Sequence, residues 1–155
     1  MLVFRSGAAA ILALGGVGVG VAGTLAQSPS VRDGIYTAQQ AEQGQVVYDA
    51  QCASCHGSPT SIVPEVAALL ADHTFRNRWR ERSLGELFEL IRDTMPQDAP
   101  GTLSSQQSAA LVAYVLSGNR QPTGDVALPD NAELLSQIPF DPTAHVLESP
   151  SAAGR

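Results

Sequence analysis

At 155 residues the chain fits one domain, and with only 5% aromatic residues it has little material for a large core of its own. Its nine basic residues, all arginine, stand against fifteen acids for a net charge of −6. That balance excludes the basic face that nucleic-acid binding requires and suits a partner carrying a basic patch.

Met1 to Arg5 holds the first positive charge, and no further charged residue appears until Arg32. Between them, Ala8 to Ala22 is almost wholly Ala, Ile, Leu, Val and Gly. Thr24-Leu25-Ala26 then offers small residues at the positions a signal peptidase reads. The pattern predicts a secretory signal over 1–26, cleaved near Ala26, and therefore an exported, periplasmic protein. An uncleaved membrane anchor is the alternative, and it is the only route by which the chain would touch a membrane; the many glycines weaken a stable spanning helix. Cleavage takes Arg5 away, leaving eight arginines, fifteen acids and a net charge of −7. Residues 27–36 read as a linker and 37–140 as the folded domain.

Thr37 with Gln40 three residues on predicts a capping box. Ala41, Gly44, Tyr48 and Cys52 follow at helical spacings as one stripe. A glycine inside such a helix costs up to about 1 kcal/mol, which another helix approaching closely at Gly44 would explain. Ser58 to Pro64 is turn-rich, Glu65 to Ala71 reads as a short helix, and Arg76 to Arg82 as a polar stretch interrupted by Trp79. Ser83 with Glu86 is a second capping box, ahead of a buried face of Leu84, Leu87, Phe88 and Ile91. Pro96 ends that helix near Thr94 and leaves Met95 at the start of a loop. Ser104 with Gln107 opens a last long helix over about 105–117, stopped by Gly118-Asn119. Five prolines beyond it, Pro122 to Pro150, forbid long regular structure. A turn or two is predicted over Ala132 to Gln137, with Leu134, Leu135, Ile138 and Phe140 fastening the tail; 141–155 reads as disordered. No alternation of strand type occurs, so the fold class is all-α with long loops.

Cys52-Ala53-Ser54-Cys55-His56 uses both cysteines and one of the three histidines. Cys-x-x-Cys-His is the attachment pattern of a c-type haem. Each thiol adds across one vinyl group, and the neighbouring imidazole lies beneath the iron. A disulfide or thiol-exchange pair is the bland alternative, but no thioredoxin-like β-α-β pattern surrounds the motif. A zinc site would need a further ligand from His73 or His145, and neither has a partner nearby. His56 would bind iron through Nε2, with Nδ1–H donating to a loop carbonyl at Pro64 or a neighbour. Met95, the only methionine besides Met1, would supply a thioether to the other face, unless it simply packs in the core. Trp79 and one arginine, Arg76 being the choice, are candidate donors to haem propionates. Tyr48 and Pro96 complete the expected haem surroundings. One covalent haem c would give these short helices an apolar plate to pack around.

Cys52, Cys55, His56 and Met95 together resemble a monohaem cytochrome c domain of the His/Met type. The run Thr94-Met95-Pro96-Gln97-Asp98-Ala99-Pro100-Gly101-Thr102-Leu103-Ser104 is similar to the methionine loop of cytochrome domains attached to quinoprotein alcohol dehydrogenases and of related periplasmic cytochromes. Ala113-Tyr114-Val115-Leu116 and Pro122-Thr123-Gly124-Asp125 extend the likeness, which covers about Ile35 to Phe140. The resemblance implies the cytochrome c fold, with its first and last core helices crossing so that Gly44 and Tyr48 meet Leu111 and Tyr114. It implies a one-electron carrier, not an enzyme, working between a dehydrogenase or respiratory complex and a redox partner or oxidase. A cytochrome subunit of a membrane-associated complex, or a peroxidase-type site opened by release of Met95, are the alternatives. Any dehydrogenase activity would come from a separate subunit.

Overall fold

Side-chain caps set where every described helix but one begins, in a computed structural model that describes residues 29–57 and 70–141. Thr37 Oγ1 accepts from the Gln40 amide to open α1 (Ala38–Gln51), and α2 (Ala53–His56) follows at once with no side-chain cap. Asp72 caps α3 (His73–Trp79) through the Phe75 amide at 2.7 Å. Ser83 and Ser104 close complete capping boxes on α4 (Leu84–Thr94) and α5 (Ser105–Gly118). Asn131 caps the short α6 (Ala132–Ser136). Among the described residues there is no strand, only an isolated bridge between Ser83 and Pro139, so the all-α class holds.

Two local expectations change. Gln40 does not close the box at Thr37: its side-chain amide donates to the Leu128 carbonyl at 3.0 Å and accepts from the Leu128 amide at 2.8 Å. A backbone 88 residues away outcompetes the cap. The arginine-rich stretch is largely helical, because Phe75 and Trp79 lie one turn apart and both are buried. Residues 65–69 of the predicted helix over 65–71, the segment 1–26 and the tail beyond Asp141 lie outside the described residues.

Among the described residues the most extensive helix–helix contact is between α1 and α5. Gly44 makes it possible: a β-carbon there would lie 1.9 Å from the Ala110 carbonyl oxygen. One turn on, the Tyr48 and Tyr114 rings stand 5.1 Å apart, in a small cluster with Leu103 and Leu111. The larger cluster joins α3, α4, α5 and the tail through Phe75, Trp79, Leu84, Phe88, Val112, Leu135 and Phe140. Leu135, Ile138 and Phe140 fasten the tail as expected, whereas Leu134 points outward at 58% exposure. Backbone bonds secure the strap, from Phe140 N–H to the Arg82 carbonyl and from Leu84 N–H to the Ile138 carbonyl, each 2.8 Å.

The folded unit also starts upstream of Thr37. Val31 and Tyr36, inside the stretch read as linker, are buried in the larger cluster, and the Tyr36 hydroxyl donates to the Gln121 carbonyl at 2.6 Å. Arg32 pairs with Asp141 at 2.6 Å, tying the two ends of the domain together. Among the described residues no helix is long and apolar enough to cross a membrane.

Candidate haem site

The Cys-x-x-Cys-His motif is wound onto a single turn. Its Cys55 and His56 amides both donate to the Cys52 carbonyl, at 3.1 and 2.9 Å, and Gly57 N–H donates to Ala53 at 2.9 Å. Winding four residues this tightly turns Cys52, Cys55 and His56 toward one cavity. The turn ends at Gly57, whose φ of 66° and ψ of −170° lie in a region essentially reserved for glycine. The Tyr48 hydroxyl donates to the Gly57 carbonyl at 2.5 Å. Both cysteines are free, with Cys52 half-buried and Cys55 exposed. Burial, with a smaller contribution from Cys55, pushes the Cys52 thiol up from its ordinary value.

Met95 reaches the same cavity from the C-terminal end of α4. Its amide still caps the helix on the Ile91 carbonyl, while its own backbone has turned extended (φ −117°, ψ 149°). The Met95–Pro96 peptide is cis. Beyond it the loop braces itself, with Ala99 N–H donating to Pro96 and Thr102 Oγ1 to Ala99.

These elements enclose about 780 Å³, within the ~300–1,000 Å³ common for small-molecule sites. Tyr48, Cys52, Cys55, His56, Trp79, Met95 and Pro96 all line it. Pro64 lies outside the described residues. Arg76 does not line the cavity: its guanidinium turns back to the Ala71 carbonyl at 2.5 Å. Arg78, two residues on, lines it instead and is exposed, with no partner among the described residues. A helix of seven residues puts side chains two apart on different faces, which the arginine count alone could not resolve. His73 is exposed at the first position of α3, with only a 3.5 Å contact to Thr74.

The sequence also left the apolar wall unassigned. Phe75, Leu87, Ile91, Leu111 and Val115 supply it, and their spacing of four on three helices (75 with 79, 87 with 91, 111 with 115) was the available signal. Leu70 adds to the wall and is held from α5 by Asn119, buried, whose Nδ2 donates to the Leu70 carbonyl at 2.7 Å. Trp79 is 3% exposed, with the Arg82 guanidinium 4.2 Å above its ring.

The donor set fits a haem better than a bare ion. Two thiols spaced for vinyl groups, an imidazole and a thioether face one mainly apolar space. Among the described residues no group of three or more His, Cys, Asp or Glu could hold a metal ion by itself. His56 Nδ1 is buried with no hydrogen-bond partner, so the expected carbonyl acceptor is not found among the described residues.

Residues 39–115 match the family described as cytochrome C oxidase, cbb3-type, subunit III. No curated protein and no solved structure matches the chain. The matched stretch runs from the first turn of α1 to the last turn of α5, spanning the haem-attachment turn and the methionine loop. With its helices, its Cys-x-x-Cys spacing and this match, the chain carries a cytochrome c domain of the monohaem c-type class.

Proposed function

We propose that the protein is an exported one-electron carrier, with haem c joined to Cys52 and Cys55 and its iron held between His56 Nε2 and the Met95 sulfur. The observation that carries this is the single cavity into which both cysteines, His56 and Met95 all face. When bound, the haem supplies a ferric/ferrous couple that gains or loses one electron. Attachment needs no oxidant, because each S–H adds across a vinyl double bond. The protein residues then do the rest. His56 and Met95 would hold the iron between them, which would leave no open position for a substrate, and His/Met ligation favours a raised potential. Leu87, Ile91, Leu111 and Val115 keep water from the buried side. Trp79 and Arg78 offer an indole N–H and a guanidinium to the propionates.

Cys55 is exposed at the cavity, so electrons would enter and leave near that edge, in contact with a protein partner. The net charge of −6 supports a partner with a basic docking face. Delivery to an oxidase agrees with the description of the matching family, and the methionine-loop likeness supports a dehydrogenase as donor.

The test is an anaerobic redox titration of the purified holoprotein combined with carbon monoxide exposure. The expected result is a one-electron Nernst curve, with no carbon monoxide uptake by the ferrous protein. Ready carbon monoxide binding, with turnover of peroxide, would favour a catalytic site instead.

A further inference from the structure

We infer that Tyr48 is the positioning residue for the proximal ligand His56, acting through the Gly57 carbonyl. This rests on the haem-binding function proposed above. A metal-ligating histidine is ordinarily fixed in plane by the hydrogen bond its other nitrogen makes. Here His56 Nδ1 has none among the described residues, although it is buried. Gly57, the residue that follows His56, is instead held through both its N–H and its carbonyl. Gly57 N–H donates to Ala53 inside the motif, and the Gly57 carbonyl accepts from the Tyr48 hydroxyl. Gly57 adopts a glycine-only conformation, so the chain leaves the His56 turn in one direction.

Tyr48 is well suited to hold that carbonyl. It is 1% exposed, lines the haem cavity and packs at a tilt against Tyr114 in the α1–α5 crossing. Its hydroxyl is therefore anchored to the most extensive helix contact among the described residues. The imidazole plane then follows the helix crossing through one hydrogen bond, so that movement at the crossing is transmitted to the iron's proximal ligand.

Tyr48→Phe keeps the ring and removes only the hydroxyl. Tyr36→Phe removes another buried hydroxyl bond, to the Gln121 carbonyl, from a residue that does not line the cavity. Both holoproteins are compared with wild type by the hyperfine-shifted haem-methyl resonances of the ferric form and by reduction potential. Tyr48→Phe is expected to change the spread and order of the methyl shifts and to move the potential. Tyr36→Phe is expected to lower stability alone. Gly57→Ala, which disturbs the same carbonyl through its backbone, is expected to shift the same resonances and gives an independent reading if Tyr48→Phe matures poorly. Methyl shifts and potential in Tyr48→Phe that match wild type would overturn the inference while leaving the haem assignment intact. A wild-type chain that carries no haem would overturn both together.

Discussion

Met95 stands where a helix gives out: its amide completes α4 and its backbone is already extended, so its side chain is directed by the helix end and the braced loop after it. If it closes the sixth position of the iron, replacement by a nitrogen ligand should lower the potential. Met95→His is expected to do so by on the order of 0.1 V, within the ~0.8 V that axial ligands span. Met95→Ala should open the site, so that the ferrous variant takes up carbon monoxide while the wild type does not. Equal potentials in Met95→His and wild type, read by spectroelectrochemistry, would make Met95 a core residue. Arg78 and Arg76 show how closely function depends on helical phase. They sit two residues apart on α3, yet one faces the cavity and the other folds back onto Ala71.

At the scale of elements, the α1–α5 crossing is the part least able to absorb change. A methyl at Gly44 meets backbone, the Ala110 carbonyl at 1.9 Å, so no rotamer can relieve it. Gly44→Ala is expected to cost about 3 kcal/mol or more, the upper end of overpacking effects, despite alanine's better helix propensity. Chemical denaturation measures it, and a neutral or stabilising result would mean the helices are farther apart. This crossing was foreseeable, because Gly44 sits in an otherwise continuous stripe and Ser83 and Ser104 announce their helices with local boxes. What was not legible depended on distant partners. Gln40 looks like half of a capping box until Leu128 arrives, and Tyr36 looks like linker until Gln121 accepts its hydroxyl. The α3 helix was hidden by its arginines, though Asp72 and the Phe75–Trp79 spacing marked it. In the site, Cys52, Cys55 and His56 were readable from motif spacing and Met95 from its place between a helix end and Pro96, and all four line one cavity. The cavity wall and the Asn119–Leu70 tether were not, since they join separate helices.

At the scale of the whole domain, the Arg32–Asp141 pair and the strap ending at Phe140 close over one core, and buried phenols are part of that closure. Burial pushes the Tyr36 phenol above its usual ~10, and a weaker hydrogen bond with Ser117 pulls the other way. Tyr48 is pushed up as well, again chiefly by burial. Because the folded-state values are raised, these groups contribute stability that is complete below about pH 10, the unfolded value, and lost as pH rises through the folded value. Unfolding free energy should therefore fall on the alkaline side. Each such phenol adds up to ~1.4 kcal/mol per pH unit to the slope in that window. Tyr36→Phe should flatten the alkaline limb by one such contribution and cost roughly 1–3 kcal/mol at neutral pH, where the Gln121 carbonyl loses its donor. Denaturation midpoints from pH 8 to 11 would show it, and an unchanged slope would mean Tyr36 is not shielded.

All of this depends on a covalent haem at Cys52 and Cys55, and intact mass spectrometry of the exported, denatured protein tests it most directly. The account predicts the polypeptide plus one haem, with the addition surviving denaturation and lost in a Cys52→Ala, Cys55→Ala double variant. A wild-type mass equal to the bare polypeptide, or a haem that leaves on denaturation, would contradict it.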